Sequence, residues 1–279
     1  MIDLHVHSTF SDGTLTPEEL IDEAARIGLK ALALTDHDST AGVGRLLAAA
    51  QGKAVQAIPG VEISADVKGG TMHMLGYFIE HDRASLNDHL KWLREGRDDR
   101  NREILHKLQK LGFHLTWEEV ASYAGEDVVG RPHFAQALQA HGYVSNKDEA
   151  FDRYLGKGKP AYAERRRLLP DASIQLIREA RGVPVLAHPF TLNLASQDLM
   201  KLIARLREEG LEGVEVFYPE HTPDMQNLYL KMAKELDLVV TGGSDFHGAL
   251  APDIQLGRGF GNLKVPDDVV EKLQTRIPA

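Results

Sequence analysis

DLHVHSTFSDG, residues 3–13, places two histidines one residue apart and an aspartate directly before a glycine. Residues 2–6 (IDLHV) read as a short strand. Strand side chains alternate with period two, so His5 and His7 leave it on one face. Two imidazoles side by side at a strand end can grip one metal ion. Taken alone, the pattern is a frequent accident of sequence. What decides is whether other strands bring matching groups to the same end.

The rest of the chain supplies them. After the first strand, TPEELIDEAARIGL predicts a helix with Thr16 as N-cap, Pro17 in the first turn and Glu19 completing a capping box. Gly28 follows as a C-terminal stop. Strands are expected at 30–35, 54–63, 71–78, 183–188, 213–217 and 238–243, and helices at 41–51, 171–181, 196–209 and 223–236. Such alternation predicts a mostly parallel sheet covered by helices, closed as a barrel or distorted barrel. LALTDHDST sets Asp36, His37 and Asp38 after the second strand, and IPGVEIS brings Glu62 to the end of the third. TMHMLGY carries His73, VLAHP ends in His188, and TGGSDFHG offers Asp245 and His247. Reactive groups of α/β barrels gather at the carboxyl ends of strands. With His5, His7 and Asp12 these residues make a metal-binding set. Asp36 and Asp38 read as outer groups that orient the imidazoles. A single member such as His73 could instead be a buried histidine with one hydrogen bond.

Residues 81–170 break the rhythm: charged, helical in pattern and without a convincing strand, with a capping box at Thr116 and Glu119. The expected organisation is a barrel from 1–80 and 171–279, with 81–170 a helical insertion forming a lid over the site.

A net charge of −9 argues against binding duplex DNA or a membrane surface, which needs broad basic patches. The absence of cysteine rules out thiolate ligands and disulfides. No apolar run approaches the ~20 residues of a membrane span, and no leader is visible ahead of the first strand. A cytoplasmic enzyme is expected.

The stretches DLHVHSTFSDG, LTDHD, PGVEIS, HMLGY, AHP and GSDFH, in this order, resemble the PHP (polymerase and histidinol phosphatase) superfamily. The resemblance implies a distorted seven-stranded β/α barrel holding two or three divalent ions. His5, His7, Glu62 and Asp245 would hold one, and Glu62, His73 and His188 a second. Asp12, His37 and His247 would hold a third. Six imidazoles and three carboxylates around divalent ions give a cationic site in an acidic protein, suited to a phosphate ester. Two ions ~3.5–4 Å apart supply a nucleophile and stabilise a leaving oxygen. Nitrogen and oxygen donors fit Mn2+, Fe2+ or Zn2+; the family favours Mn2+.

Within the superfamily the chain looks most like the stand-alone branch of 3′,5′-nucleoside bisphosphate phosphatases and 5′→3′ exoribonucleases acting on short 5′-phosphorylated RNA. The expected activity is removal of the 3′-phosphate from a nucleotide such as adenosine 3′,5′-bisphosphate. Arg100 and Asn101 in RDDRNREIL, with Arg97 beside them, and Arg131 and His133 in GRPHFAQAL are candidates for the second phosphate. A charged helix such as the first is more commonly a solvated face. His221 is a further substrate candidate or a helix cap. Glu62 and His247 are the candidate catalytic groups, with His247 or a metal-bound water as the acid. The alternatives are a histidinol-phosphate or other small phosphoester phosphatase, a proofreading exonuclease module, and a degenerate PHP domain kept for binding.

Overall fold

Seven short strands form one sheet in the order of the sequence: β1 Ile2–Val6, β2 Ala31–Leu34, β3 Gln56–Ala65, β4 Met72–Tyr77, β5 Val183–Leu186, β6 Gly213–Phe217 and β7 Val239–Gly242. The computed structural model describes residues 1–123 and 129–278. β1, β2 and β3 run parallel, as do β5, β6 and β7. β4 runs antiparallel to both its neighbours. Only residues 66–71 join β3 to β4, and a connection that short cannot carry the chain back for a parallel pairing. The sequence predicts a mostly parallel sheet whose ligands gather at the carboxyl ends of nearly every strand. His73 instead sits near the amino end of β4, opposite Ser64 on β3. Reversing the strand brings it to the mouth where the other ligands emerge.

The ring closes beyond the strands themselves. Val6 bridges parallel to Phe246; His7 N donates to Phe246 O (3.0 Å) and Phe246 N to His5 O (3.4 Å). The seven strands thus make a nearly closed barrel. Asp3, wholly buried, pins the seam by accepting from Ser244 N (2.8 Å), Ser244 Oγ (2.5 Å) and Gly257 N (2.7 Å). Gly243 is required there, since a Cβ at that position would lie 2.3 Å from His5 N.

Around the strands pack α1 Pro17–Ile27, α2 Val43–Ala49, the start of α3 Ala84–Lys110, α7 Pro170–Glu179, α8 Ser196–Glu208, α9 Pro223–Glu235 and α10 Val269–Gln274. The Thr16–Glu19 capping box and the left-handed Gly28 bound α1 as its sequence predicts. Ile2, Leu4, Ala33, Ile58, Leu75 and Val185 belong to one buried apolar cluster; a second joins Leu20 and Ile21 of α1 to Val6, Leu32 and Leu34.

The chain divides into two compact units, Met1–Lys91 with Leu168–Ala279, and Trp92–Arg167. The second holds the rest of α3, α4 Trp117–Ser122, α5 Arg131–Ala140 and α6 Lys147–Ala150, which runs into a π-helical turn. Its own core includes Ile104, Leu108, Phe134, Leu138 and Leu155. Among the described residues it contains no strand.

Candidate metal centre

Nine side chains expected from the sequence converge at one end of the barrel: His5, His7, Asp12, His37, Glu62, His73, His188, Asp245 and His247. They fall into four groups whose ligand atoms lie within 4.8 Å of one another: His7–Asp12–His37–His247, His5–His7–Asp245, His5–Glu62–His188 and His37–Glu62–His73. The three sets implied by the family resemblance are therefore interleaved here. His37 faces Glu62 with Nδ1 (2.8 Å) and Asp12 with Nε2 (3.5 Å).

Glu62 is the hub. Its Oε1 lies 2.8 Å from His73 Nδ1, 3.2 Å from His188 Nε2 and 3.5 Å from His5 Nε2. Its Oε2 lies 2.8 Å from His37 Nδ1 and 3.4 Å from His7 Nε2. One carboxylate reaching five imidazoles has the geometry of a shared ligand.

The outward nitrogens are held by the protein. His5 Nδ1 donates to Glu215 Oε1 (3.0 Å), so its Nε2 faces the cluster. Glu215 Oε2 accepts from His188 N (2.9 Å). His188 Nδ1 lies 3.2 Å from Thr191 Oγ1, and His247 Nδ1 donates to Asp245 O (2.8 Å). Ser11 Oγ lies 3.4 Å from His7 Nδ1 and donates to Asp36 Oδ1 (2.7 Å), which places Asp36 behind the first row of ligands. Asp38 accepts from Ser64 N (3.0 Å) and secures β3. Such outer partners fix the tautomer of each ring.

Electrostatics points the same way. Burial alone would raise the Glu62 carboxyl, but His37, His73 and His5 outweigh it and hold it well below the usual carboxylate range. Asp245 is depressed likewise, burial being overcome by His5 and His7, and Asp12 by His37 and His247. The imidazoles cannot all be cationic together. His7 is pushed down by burial and by its neighbour His247, while His247 is pushed up to about 9, because Asp12 and Asp245 outweigh its burial. Five buried ligand atoms of the cluster make no hydrogen bond among the described residues: His5 Nε2, His7 Nε2, Asp12 Oδ1, Glu62 Oε2 and His73 Nδ1. Orphaned polar atoms in such density are costly unless something ligates them. Nitrogen and oxygen donors around a shared carboxylate fit divalent ions.

His247 was expected also as an acid. Its Nδ1 is committed to Asp245 O, and its Nε2, 3.4 Å from Asp12 Oδ1, belongs to a ligand group. That nitrogen cannot hold an ion and a proton at once, so the geometry favours its ligand role.

Glu215 escaped the sequence reading. It lies in GVEVF, where alternation reads as an ordinary strand, and its partner His5 is 210 residues away. Glu215→Gln is expected to weaken ion affinity about tenfold, the lower end of what outer partners contribute. One amide oxygen cannot accept from both His5 Nδ1 and His188 N. Metal titration of the stripped protein checks this.

The candidates for the second phosphate lie in the Trp92–Arg167 unit, and the solvated-face reading fails for Arg97 and Arg100. Arg97 and Arg100 are 9% and 8% exposed. Arg100 has no hydrogen bond or ion pair among the described residues. Burial first, then Arg165, Arg131, Arg97 and Arg167, push its guanidinium down to about 9. The Arg131 guanidinium lies over the rings of Phe151 and Tyr162. Asn101 is fully buried and donates to Val129 O (2.7 Å), so it braces the start of α5. His133 Nδ1 accepts from Gly130 N (3.0 Å), capping that helix. In the barrel unit, His221 is only 4% exposed, its Nδ1 donates to Val216 O (2.8 Å), and Phe190, Tyr218 and Tyr229 flank its ring. That packing braces the ring, while its Nε2 is buried without a hydrogen-bond partner among the described residues.

A nearly closed α/β barrel with a His, Asp and Glu cluster at one mouth defines a metal-dependent phosphoesterase architecture. The chain belongs to the PHP domain family, whose model matches residues 3–163. It is 35% identical over 268 residues to a 5′-3′ exoribonuclease of Haemophilus influenzae, covering 96% of each chain. It is 34% identical over 247 residues to a 3′,5′-nucleoside bisphosphate phosphatase of Chromobacterium violaceum, covering 88% of this chain and 87% of that one. A Bifidobacterium adolescentis structure, solved as a candidate metal-dependent phosphoesterase, superposes with a TM-score of 0.81 at 29% identity, covering 100% and 96%. Among the described residues no helix is long and apolar enough to cross a membrane.

Proposed function

We propose that the protein removes the 3′-phosphate from nucleoside 3′,5′-bisphosphates, and that the same site trims short 5′-phosphorylated RNA from its 5′ end. The observation that carries the reading is Arg100, a buried guanidinium with no anionic partner among the described residues and four more arginines around it. A buried cation in that setting calls for an anion. The Trp92–Arg167 segment carries 14 Lys and Arg against 12 Asp and Glu, where the rest of the chain carries 18 against 29. A substrate with two phosphates fits a protein with two anion sites of different chemistry. The relatives named as a bisphosphate phosphatase and an exoribonuclease support the same class.

In this reading Arg100 and Arg131 take the 5′-phosphate, with His133 at the start of α5. The barrel's nine ligands take the 3′-phosphate. Divalent ions bound there, Mn2+ by preference, supply a nucleophile at neutral pH and neutralise charge on the phosphoryl oxygens. Glu62 holds its five imidazoles in fixed relation, and Glu215 fixes the His5 ring. A short RNA seats its 5′-phosphate among the arginines and presents its first 3′-linked diester to the ligands.

The test is phosphate release with Mn2+, comparing adenosine 3′,5′-bisphosphate, 5′-AMP, 3′-AMP, histidinol phosphate and short 5′-phosphorylated RNA. The bisphosphate should be preferred by at least about tenfold over the monophosphates, the effect of one charge-assisted contact, and should yield 5′-AMP. Accumulation of 3′-AMP would reverse the assignment of the two phosphates. Preference for histidinol phosphate would overturn the substrate class.

A further inference from the structure

Asp245 meets the ligand cluster with only one of its two oxygens. Oδ1 lies 3.0 Å from His7 Nε2 and 3.3 Å from His5 Nε2. Oδ2 accepts a hydrogen bond from the Tyr218 hydroxyl (2.9 Å). The backbone beneath is fixed on both sides. Ser244 is bonded to Asp3, Gly243 N donates to Phe217 O (3.0 Å), and Phe246 bridges to β1. Asp245 itself is held in the left-handed region at φ 54°. Rotation of the carboxylate is the freedom that remains, and the Tyr218 hydroxyl restrains it.

Tyr218 is well placed to impose a choice. It follows directly on β6 and is 9% exposed. Its ring lies 5.3 Å from that of His188, edge on, 5.7 Å from Phe190 and 5.1 Å from His221. His221 N also donates to Tyr218 O (3.1 Å), and the His221 ring is tied to Val216 O (2.8 Å). His221, expected as a substrate contact or a helix cap, is also the wall against which Tyr218 is braced.

A carboxylate that ligates through one oxygen fills one coordination position, and one that chelates fills two. Zn2+ settles at four or five ligands. Larger oxygen-seeking ions take six or more and accept a chelating carboxylate readily. We infer that Tyr218 is a positioning residue that keeps Asp245 a one-oxygen ligand and thereby sets which divalent ion the His5–His7–Asp245 position prefers. The inference rests on the cluster being a metal centre.

Tyr218→Phe keeps the ring and removes the hydroxyl. Full-length, metal-stripped protein would be equilibrated with equal buffered concentrations of free Mn2+ and Zn2+ and its bound ions counted by elemental analysis. The retained Mn:Zn ratio should rise about tenfold over that of the unsubstituted protein, on the scale of an outer-partner effect. An unchanged ratio, or both affinities falling in step, would overturn the assignment, the latter marking Tyr218 as packing alone. A second measurement needs no variant: in crystals of the Zn2+-loaded protein, Asp245 Oδ2 should remain on the Tyr218 hydroxyl. Both oxygens on the ion would overturn the inference. Failure of the unsubstituted protein to retain any ion would instead refute the metal centre itself.

Discussion

Glu62→Gln is expected to cost the protein at least one bound ion and roughly a thousandfold in phosphate release, the largest effect of any single change here. An amide has the carboxylate's shape but no net charge, and it offers one acceptor oxygen where Glu62 offers two. Both oxygens are in use: Oε1 faces His73, His188 and His5, and Oε2 faces His37 and His7. Two of the four ligand groups contain Glu62, so the substitution strikes both together. Ions in such sites contribute several kcal/mol of charge stabilisation, and each ~1.4 kcal/mol is tenfold in rate. Elemental analysis beside phosphate release checks the prediction. Full ion content with full activity would remove Glu62 from the role of shared ligand.

Arg100→Met should move stability and activity in opposite directions. A buried guanidinium pressed by four others is unfavourable in the ligand-free protein, and an apolar chain of similar length relieves it. The unfolding free energy should rise by about 1 kcal/mol, typical of relieving a strained functional site. Turnover of a bisphosphate should fall about 10- to 150-fold, the equivalent of losing one charge-assisted contact of ~1.5–3 kcal/mol. Hydrolysis of a simple aryl phosphate should change little. Thermal denaturation and kcat/KM on the two substrates measure both sides. Equal losses on both substrates would make Arg100 part of the scaffold.

All nine expected metal ligands come together in the barrel, and most were legible because each follows a recognisable strand. Period-two alternation put His5 and His7 on one face, and apolar runs ended at His37, Glu62, His188 and Asp245. The direction of β4 is not written in TMHMLGY itself but in the short stretch before it, since so few residues between the third and fourth strands allow only an antiparallel pairing. Glu215 and Tyr218 were invisible for another reason. A glutamate between valines and a tyrosine before a proline are ordinary in sequence, and their roles arise from His5 and Asp245, which only the closed ring brings near. For the arginines of α3 the sequence left two readings open, an anion site and a solvated face. Charge density along a helix suggests solvent, but this helix turns Arg97 and Arg100 inward.

The seam between β1 and Phe246 also sets an order of assembly. Asp3 and Ser244, which lock it, are 241 residues apart. A nascent chain carries His5 and His7 through nearly all of its synthesis without Asp245 or His247. Contacts of such long range form late and slowly. Ion capture is thereby tied to completion: the full set of ligands exists only in a finished ring, and binding energy spent there stabilises that state alone. Two of the four ligand groups need Asp245 or His247, so a chain that stops short of residue 245 has only half of the centre to offer an ion.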